Sequence, residues 1–374
     1  MMQELPLTYQ ERVIFGLRSL YNRYGYTQYK MSKFEEYDLY ARNKDFLVSD
    51  RVITFMDTNG RLMALKPDVT LSIVKNTKDA PGALQKLYYN ENVYRAAKGN
   101  GSFKEIMQVG LECLGDVDEY CIGEVLLLAA ESLQAISPDS ILDISHLGLL
   151  SELIDAIGIS ENNKSQLLAC IGQKNPHELD ALCRQWNVAS EKAEKLKQLL
   201  ALSGRPAVVL SQIKALLSDL PGMHALEQLE RILALVEDSD MGGILRIDFS
   251  EVDDIHYYNG IVFKGFINGV PSSVLSGGQY DKLMRKVGRK AGAVGFAVYM
   301  DTLERLDDRQ KEYDVDTVLL YGPEADLMQL QAKVRNLRGN GERVAVQRQL
   351  PADIRCRRIL KFDGSEVEIL ENNA

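Results

Sequence analysis

The sequence has few residues with metal or redox chemistry: 5 cysteines, 4 histidines and one tryptophan among 374 residues. The odd number and wide spacing of the cysteines are typical of reduced thiols in a cytoplasm. A zinc site needs close cysteine pairs with further ligands, whereas Cys113 and Cys121 lie eight residues apart with no histidine near either. Buried structural thiols are therefore favoured over a zinc site, and no metal is predicted.

Long apolar runs and an excess of basic charge are also missing. The longest apolar run, Val125–Ala130, is far shorter than the roughly 18 residues that cross a bilayer. The first residues do not show the basic-then-apolar pattern of a signal peptide. Acidic residues outnumber basic ones by 53 to 44, which argues against loose nucleic-acid binding through overall charge but leaves room for a local basic groove. These features predict a cytoplasmic protein.

Three common catalytic signatures are absent. No G-x-G-x-x-G opens a helix, and neither G-x-x-x-x-G-K-[ST] nor G-x-S-x-G occurs. Dinucleotide-binding, P-loop and α/β-hydrolase chemistry therefore lose their usual sequence support. What remains is the composition of an ordinary globular protein, 45% hydrophobic and 26% charged, with a length that predicts two or three domains.

The first third of the chain has the pattern of strands joined by hairpins, with helices set between them. Residues 46–56 alternate loosely and are predicted to form a strand, and Asn59-Gly60 is a hairpin signal before a second strand at 61–66. Further strands are predicted at 86–94 and 103–114. This order favours an antiparallel sheet in an α+β domain.

Two changes in residue composition and periodicity along the chain predict the domain boundaries. Residues 147–242 form Leu-rich periodic segments with little β-branching, which predicts a helical insertion. Residues 1–146 and 243–312 would then form the core, and residues 313–374 would form a small α/β module.

Four short stretches differ from ordinary structural sequence. They are Leu65–Thr70, Tyr94-Arg95 with Phe103–Glu112, Tyr257–Phe263, and Ser276–Asp281 leading into Ala293–Ala297. In this order they resemble the catalytic core of histidyl-tRNA synthetase over about residues 1–306, and they include its signatures Tyr-Tyr-x-x-x-Val-Phe and Gly-Gly-x-Tyr-Asp. The resemblance implies a class II aminoacyl-tRNA synthetase fold with a mainly antiparallel sheet, a helical insertion and a truncated anticodon-binding-like module.

The resemblance also implies a pocket for free histidine. Gln108 and Glu112 are four apart on one predicted strand, so both point to the same face of the sheet; a solvated sheet face is the alternative for these two residues. The implied histidine-binding residues are Asp68 and Gln108 at the ammonium group, Thr70 supporting them, Glu112 and Tyr280 at the imidazole, Tyr257 and Tyr258 as walls, Arg95, and the backbone of Gly277, Gly278 and Gly295.

The residues that would hold ATP depart from the synthetase pattern. Arg95 matches one family arginine, but Thr302 and Asp253 stand where the family has two others. Losing one well-placed cation at a transition state costs about 10²–10³ in rate. Smaller departures from the family pattern are Ser32, Ala97 and Gln279. The pattern therefore predicts a protein that binds histidine without activating it.

One branch of this extended family, the regulatory subunits of ATP phosphoribosyltransferase, combines these features. Resemblance to this branch implies a non-catalytic protein without a cofactor. It would activate the short-form catalytic subunit and confer histidine feedback inhibition on the first step of histidine biosynthesis. The implied assembly is a hetero-octamer of four plus four subunits, with self-association of this chain as a dimer.

Other interpretations stay open. The retained Arg95 allows a divergent histidyl-tRNA synthetase or a synthetase-like ATP-dependent ligase, and a scaffold with a relic pocket is a third hypothesis. The C-terminal basic residues could contact RNA, although a solvated charged face is favoured in an acidic chain. These residues are Arg348, Arg355, Arg357, Arg358 and Lys361.

Overall fold

A computed structural model of the chain falls into two compact units, Met1–Leu306 and Asp307–Ala374. Because the helices after residue 147 belong to the first unit together with the sheet, the separation of a core from a helical insertion stays a prediction. The residues that the structure describes are 7–47, 51–78, 82–96, 102–173, 175–219, 224–250, 257–306, 313–364 and 366–373.

The first unit is built on a nine-stranded sheet and a smaller three-stranded sheet, counted over the described residues. In chain order the strands are β1 (Thr27–Gln28), β2 (Phe34–Glu36), β3 (Thr54–Met56), β4 (Leu62–Leu65), β5 (Leu84–Ala96), β6 (Phe103–Gly115), β7 (Ser140–His146), β8 (Ser203–Gly204), β9 (Leu245–Asp248), β10 (Ile261–Ile267), β11 (Leu275–Gln279) and β12 (Gly292–Tyr299). The large sheet has the order β1-β5-β6-β12-β11-β10-β7-β9-β8, and β2, β4 and β3 form the small one.

Helices and short 3₁₀ turns connect these strands. The helices are α1 (Tyr9–Arg23), α2 (Tyr37–Ala41), α3 (Val69–Asn76), α4 (Glu119–Ile136), α5 (Leu147–Ala156), α6 (Glu161–Gly172), α7 (Pro176–Gln185), α8 (Ser190–Ala201), α9 (Pro206–Leu216), α10 (His224–Glu237) and α11 (Asp281–Lys286). The 3₁₀ turns are Lys44–Phe46, Gly242–Ile244 and Met300–Leu306.

The large sheet is mainly antiparallel, which confirms the predicted α+β class. Among the described strands of this sheet, parallel pairing occurs only between β1 and β5 and between β7 and β9. The central strands β5, β6, β12, β11, β10 and β7 all pair antiparallel with one another. Because side chains alternate across a strand, each central strand sends one set of residues to each face of the sheet.

One face of the large sheet is covered by α1 and α4. Helix α1 starts with a capping box, in which Thr8 and Glu11 satisfy each other's backbone N–H groups. Its buried side chains, with those of α4, join alternate residues of β6 and β12 such as Leu111 and Val298 in one apolar core. The other face carries Gln108, Glu112 and Gly295, and the cavity described below lies over it.

The predicted strand over 46–56 is wrong in its first part. Residues 44–46 form a 3₁₀ turn, residues 48–50 lie outside the described part, and only Thr54–Met56 is a strand. The turn at Asp57–Gly60 follows, with Gly60 at φ 77° and Asp57 accepting a hydrogen bond from the Asn59 N–H. Phe46 lies in the 3₁₀ turn, so its ring points to the cavity. There it packs against Tyr257, with 6.1 Å between the ring centroids.

His146 joins the sheet to the helices that follow. It is the last residue of β7 and the N-cap of α5, where its Nδ1 accepts a hydrogen bond from the Leu149 N–H at 3.1 Å. Its Nε2 therefore carries the proton and donates to Gln228 Oε1 at 3.2 Å. Burial lowers the pKa of His146 to about 4.

Acid should therefore weaken the fold through His146. Between pH 6.5 and about 4, the unfolded chain binds a proton that the folded chain does not, so the free energy of unfolding falls as the pH falls. From pH 7 to 5 this group should remove about 2 kcal/mol. H146N keeps an N-cap side chain and should flatten that part of the profile in urea unfolding. An unchanged slope in H146N would contradict the assignment.

The second unit is a small α/β module. Its strands are β13 (Val315–Tyr321), β14 (Val344–Gln347), β15 (Cys356–Phe362) and β16 (Val367–Asn372), in the order β14-β13-β15-β16, with one helix, α12 (Leu327–Gly339). Parallel pairing joins β13 to both β14 and β15, whereas β16 runs antiparallel.

Basic side chains of this module make internal contacts. Arg358 contacts Glu342 at 2.6 Å, Arg355 contacts Asp314 at 3.2 Å, and the Arg348 guanidinium lies 5.7 Å from the Tyr321 ring centroid. Three of the five basic residues that could contact RNA are therefore engaged in contacts within the module.

Candidate functional site

A cavity of about 260 Å³ lies over the pocket face of the large sheet. Strands β5, β6, β11 and β12 form its floor, the start of α3 forms one wall, and the segment at Tyr257 and Tyr258 forms another. Its lining residues are Phe46, Leu47, Asp68, Val69, Thr70, Tyr89, Arg95, Gln108, Glu112, Tyr257, Tyr258, Ser276, Tyr280, Gly295, Phe296, Ala297 and Tyr299.

Small residues in the middle of the floor create the cavity. Gly110 faces Ala297 across the β6–β12 pair, and Ala297 faces Ser276 on β11. A Cβ on Gly110 would lie 2.5 Å from the Tyr89 hydroxyl, so glycine is needed where the tyrosine crosses the floor. Large polar side chains stand at the two ends of this row, Glu112 at one and Gln108 at the other.

Glu112 is held rigidly at one end of the cavity. Only 2% of the residue is exposed, Thr70 donates a hydrogen bond to its Oε1 at 2.6 Å, and the Tyr280 hydroxyl donates to its Oε2 at 2.6 Å. Burial raises the pKa of Glu112 to about 8, although both hydroxyl donors favour the charged form. At neutral pH the group is therefore mainly a neutral acid that can release its proton to a basic ligand.

Gly295 makes room for that carboxyl group. It faces Glu112 in the β6–β12 register, and a Cβ there would overlap Glu112 Oε2 and lie 2.5 Å from the Leu111 carbonyl oxygen. The carboxyl group can occupy the floor only because this position has no side chain.

Asp68 serves both a helix and the cavity. It is the N-cap of α3, and its Oδ1 accepts the Leu71 N–H at 2.8 Å. Burial raises its pKa, and the Arg95 guanidinium, 3.7 Å from Oδ2, opposes that rise. Arg95 also donates to the Pro67 carbonyl oxygen at 2.8 Å. Among the described lining residues, Arg95 is the single cation.

Further ion pairs fix α3 at both ends. Before it, the fully buried ammonium group of Lys66 lies 2.9 Å from Glu91 Oε2 on β5, and burial lowers the pKa of Lys66. Towards its C-terminus, Lys75 contacts Glu35 Oε2 at 2.9 Å, and Ser72 donates to the other oxygen of that carboxylate at 2.5 Å. The orientation of α3, and with it Asp68 and Thr70, is thus tied to β5 and β2.

Aromatic rings close the cavity above the floor. Tyr257 lies 4.8 Å from Tyr258 and 5.6 Å from Tyr280, measured between ring centroids. Burial raises the pKa of Tyr257 and of Tyr280 well above the ordinary value of tyrosine, so both hydroxyls stay protonated. The walls are therefore apolar surfaces that also offer hydrogen-bond donors.

The structure brings most of the predicted site residues together. Asp68, Thr70, Arg95, Gln108, Glu112, Tyr257, Tyr258, Tyr280 and Gly295 all line the cavity. The alternative interpretation, in which Gln108 and Glu112 lie on a solvated sheet face, is wrong, since only 3% and 2% of these residues are exposed. The roles of the lining residues in binding histidine stay predictions.

Two predicted glycines do not line the cavity. A Cβ on Gly278 would lie 2.6 Å from the Ile261 carbonyl oxygen, and one on Gly277 would overlap the Gly295 carbonyl oxygen. Both are therefore needed for close strand packing beside the site rather than as its surface. Sequence reasoning also missed lining side chains, chiefly Phe46, Tyr89, Ser276 and Tyr299.

The positions predicted to lack nucleotide arginines are only partly within the described chain. The Thr302 hydroxyl donates to the Tyr299 carbonyl oxygen at 2.6 Å, and Arg305, three residues later, is exposed. Gln279 donates to Asp281 Oδ2 at 2.7 Å. Asp253 and Ala97 lie outside the described residues.

The described part of the chain lacks the features of a metal site and of a membrane-spanning helix. All five cysteines are buried and free. Within the described ranges, no group of three or more His, Cys, Asp or Glu side chains could hold a metal ion. No helix in the part of the chain that is described is long and apolar enough to cross a membrane.

Comparison with known proteins decides the family. A sequence profile described as histidyl-tRNA synthetase matches residues 7–303. The chain belongs to the histidyl-tRNA synthetase family. A curated relative named ATP phosphoribosyltransferase regulatory subunit, from Oceanobacillus iheyensis, is 25% identical over 367 residues, which cover 96% of this chain and 89% of the relative. Other relatives of 24–29% identity carry the same name.

Solved structures of family members have the same fold. A crystal structure from Bacillus halodurans C, described as an ATP phosphoribosyltransferase regulatory subunit/histidyl-tRNA synthetase, is 25% identical, with a TM-score of 0.74 and 93% coverage of both chains. A chain of the ATP phosphoribosyl transferase complex from Thermotoga maritima is 20% identical, with a TM-score of 0.61 over 78% of this chain and 97% of that one. The predicted synthetase-like fold and the predicted likeness to these regulatory subunits are confirmed.

Proposed function

We propose that this family member is a non-catalytic regulatory subunit, which activates a short-form ATP phosphoribosyltransferase and makes it sensitive to histidine. The observation that carries the proposal is the charge of the cavity. Among the lining residues that the structure describes, two buried acids, Asp68 and Glu112, face a single cation, Arg95. That set suits a zwitterion with one further basic nitrogen, and it does not suit a triphosphate, which needs several cations.

Free histidine would bind in the cavity in a single orientation. Its ammonium group would bind Asp68 and the Gln108 amide oxygen, and its carboxylate would bind Arg95. Its imidazole would lie at Glu112, four residues and about 13 Å from Gln108 along the same strand. The relatives named regulatory subunits support a transferase partner, and a chain of this fold occurs in a transferase complex. The proposed assembly contains four subunits of each kind, built on dimers of this chain.

The deciding experiment uses the chain mixed with a short-form transferase. Phosphoribosyl transfer to ATP should rise on mixing, and histidine should inhibit it. D68N keeps a good N-cap for α3 but loses one charged contact, so its histidine sensitivity should weaken by about 10- to 100-fold while activation persists. D301N, the same change at an exposed acid that does not line the cavity, should behave as the unaltered chain.

Two outcomes would refute the proposal. Either undiminished histidine inhibition in D68N or failure of the chain to activate any short-form transferase would contradict it. Robust pyrophosphate exchange with histidine and ATP would instead favour the second candidate, a divergent histidyl-tRNA synthetase or synthetase-like ligase, which the position of Arg95 in the cavity supports.

A further inference from the structure

We infer that Tyr299, anchored by Ser276, is a specificity-determining residue: it closes the Gln108 end of the cavity and limits the ligand to a free amino acid, excluding ligands extended at the carboxyl group. This inference rests on the proposed function and deepens it. Tyr299 lies outside the four stretches that predicted the pocket, and Ser276 begins one of them without an assigned role, yet both line the cavity.

The strand register places Tyr299 at that end. The residues of β12 that face the cavity are Gly295, Ala297 and Tyr299, and their partners on β6 are Glu112, Gly110 and Gln108. Side-chain size along β12 therefore rises from hydrogen to methyl to phenol in two steps of about 7 Å each. The floor is open beside Glu112 and blocked beside Gln108.

Three hydrogen bonds fix the tyrosine. Its hydroxyl lies 2.6 Å from Ser276 Oγ on the neighbouring strand β11. At its backbone, the N–H donates to the Val274 carbonyl oxygen at 2.9 Å, and the carbonyl oxygen accepts the Thr302 hydroxyl at 2.6 Å. Because both ends of the residue are held, swinging the ring out of the cavity would break the contact with Ser276.

A fixed ring at this end selects ligands by length. In the proposed orientation the ammonium group of the ligand lies at Gln108, the register partner of Tyr299, so a bulky group attached to the neighbouring carboxyl carbon would reach the space that the phenol fills. Free histidine has no such group. A nucleotide joined to that carboxyl carbon would collide with the ring, and this gives a steric cause for binding without activation, independent of the missing arginines.

The test compares two ligands by calorimetry on the full-length chain with its transferase partner: L-histidine, and the histidyl sulfamate of adenosine, which extends histidine at its carboxyl carbon. The unaltered chain should prefer histidine by about 100-fold, as expected when extra atoms are forced into a filled space. Y299A should reduce this preference at least tenfold and leave histidine affinity within about threefold.

Matched variants separate the ring from its anchor. Y299F and S276A both keep the ring and remove the hydrogen bond that anchors it, so each should reduce the preference by less than Y299A does. Y313A, the same change in the second unit, should have no effect on either ligand. Thermal melting checks that each variant is folded. A Y299A protein that binds histidine and still rejects the sulfamate would overturn the inference alone, whereas an unaltered chain that does not bind histidine would overturn the proposed function and the inference together.

Discussion

Replacing Gly295 with alanine should abolish histidine binding and destabilise the first unit by about 3 kcal/mol, at the upper end of the usual cost of overpacking. The added methyl group would lie 2.5 Å from the Leu111 carbonyl oxygen and overlap Glu112 Oε2. The backbone oxygen cannot move without disturbing the β6–β12 pairing, so the carboxyl group must leave its place between Thr70 and Tyr280. Urea unfolding and histidine calorimetry measure the two losses.

A matched control is available in the same unit. Gly243 lies in a 3₁₀ turn, and a Cβ there would have nothing within 4 Å, so G243A should change stability little and binding not at all. If G295A matched G243A in both measurements, Glu112 would not pack against Gly295 on the cavity floor.

Replacing Glu112 with glutamine should remove a large loss of stability that occurs as the pH rises from about 5 to 8. The pKa of Glu112 rises from 4.5 to about 8 in the fold because of burial. Between these values the folded state holds a proton that the unfolded chain has released, so the free energy of unfolding falls as the pH rises, and the contribution is lost above pH 8. The loss amounts to roughly 3–5 kcal/mol. E112Q has no proton to lose and should keep its stability from pH 5 to 9 far better than the unaltered chain.

Urea unfolding at several pH values measures this difference. Asp68 has a pKa raised by burial as well, but its titration starts from a lower ordinary value and remains in E112Q, so the difference between the two proteins isolates Glu112. E105Q, on the exposed part of the same strand, is the control and should follow the unaltered chain. Parallel pH profiles for E112Q and the unaltered chain would show that Glu112 is already ionised in the folded state.

Much of the site could be predicted from sequence because strand periodicity is strict. Gln108 and Glu112 are separated by four residues, so they share a face wherever the strand lies, and the family signatures supplied the more distant residues. Ser276 and Tyr299 were missed because each meets the cavity only through strand register. The rise in size from Gly295 through Ala297 to Tyr299 was a readable signal, but its meaning depends on which strands are neighbours.

The failed strand prediction over 46–56 has a different cause. The loose apolar alternation that begins at Phe46 and Leu47 predicts a strand, whereas both residues face the cavity from a turn and the residue after it. Tertiary packing against Tyr257 decides their conformation, and local propensity does not. The glycines at 277 and 278 show the converse, because a family signature places them in the pocket, whereas their physical task is close strand packing beside it.

Asp68 both caps α3 and faces the cavity, and this links a ligand in the cavity to the conformation of that helix. One carboxylate satisfies the first turn of α3 and also faces the cavity, and the last turn of that helix is bound to Glu35 on a separate small sheet. A cation arriving at Asp68 would compete with the Leu71 N–H for the same negative charge. Filling the cavity would therefore affect the start of α3, and this two-turn helix is bound near its other end to a sheet that contributes no residue to the described lining of the cavity.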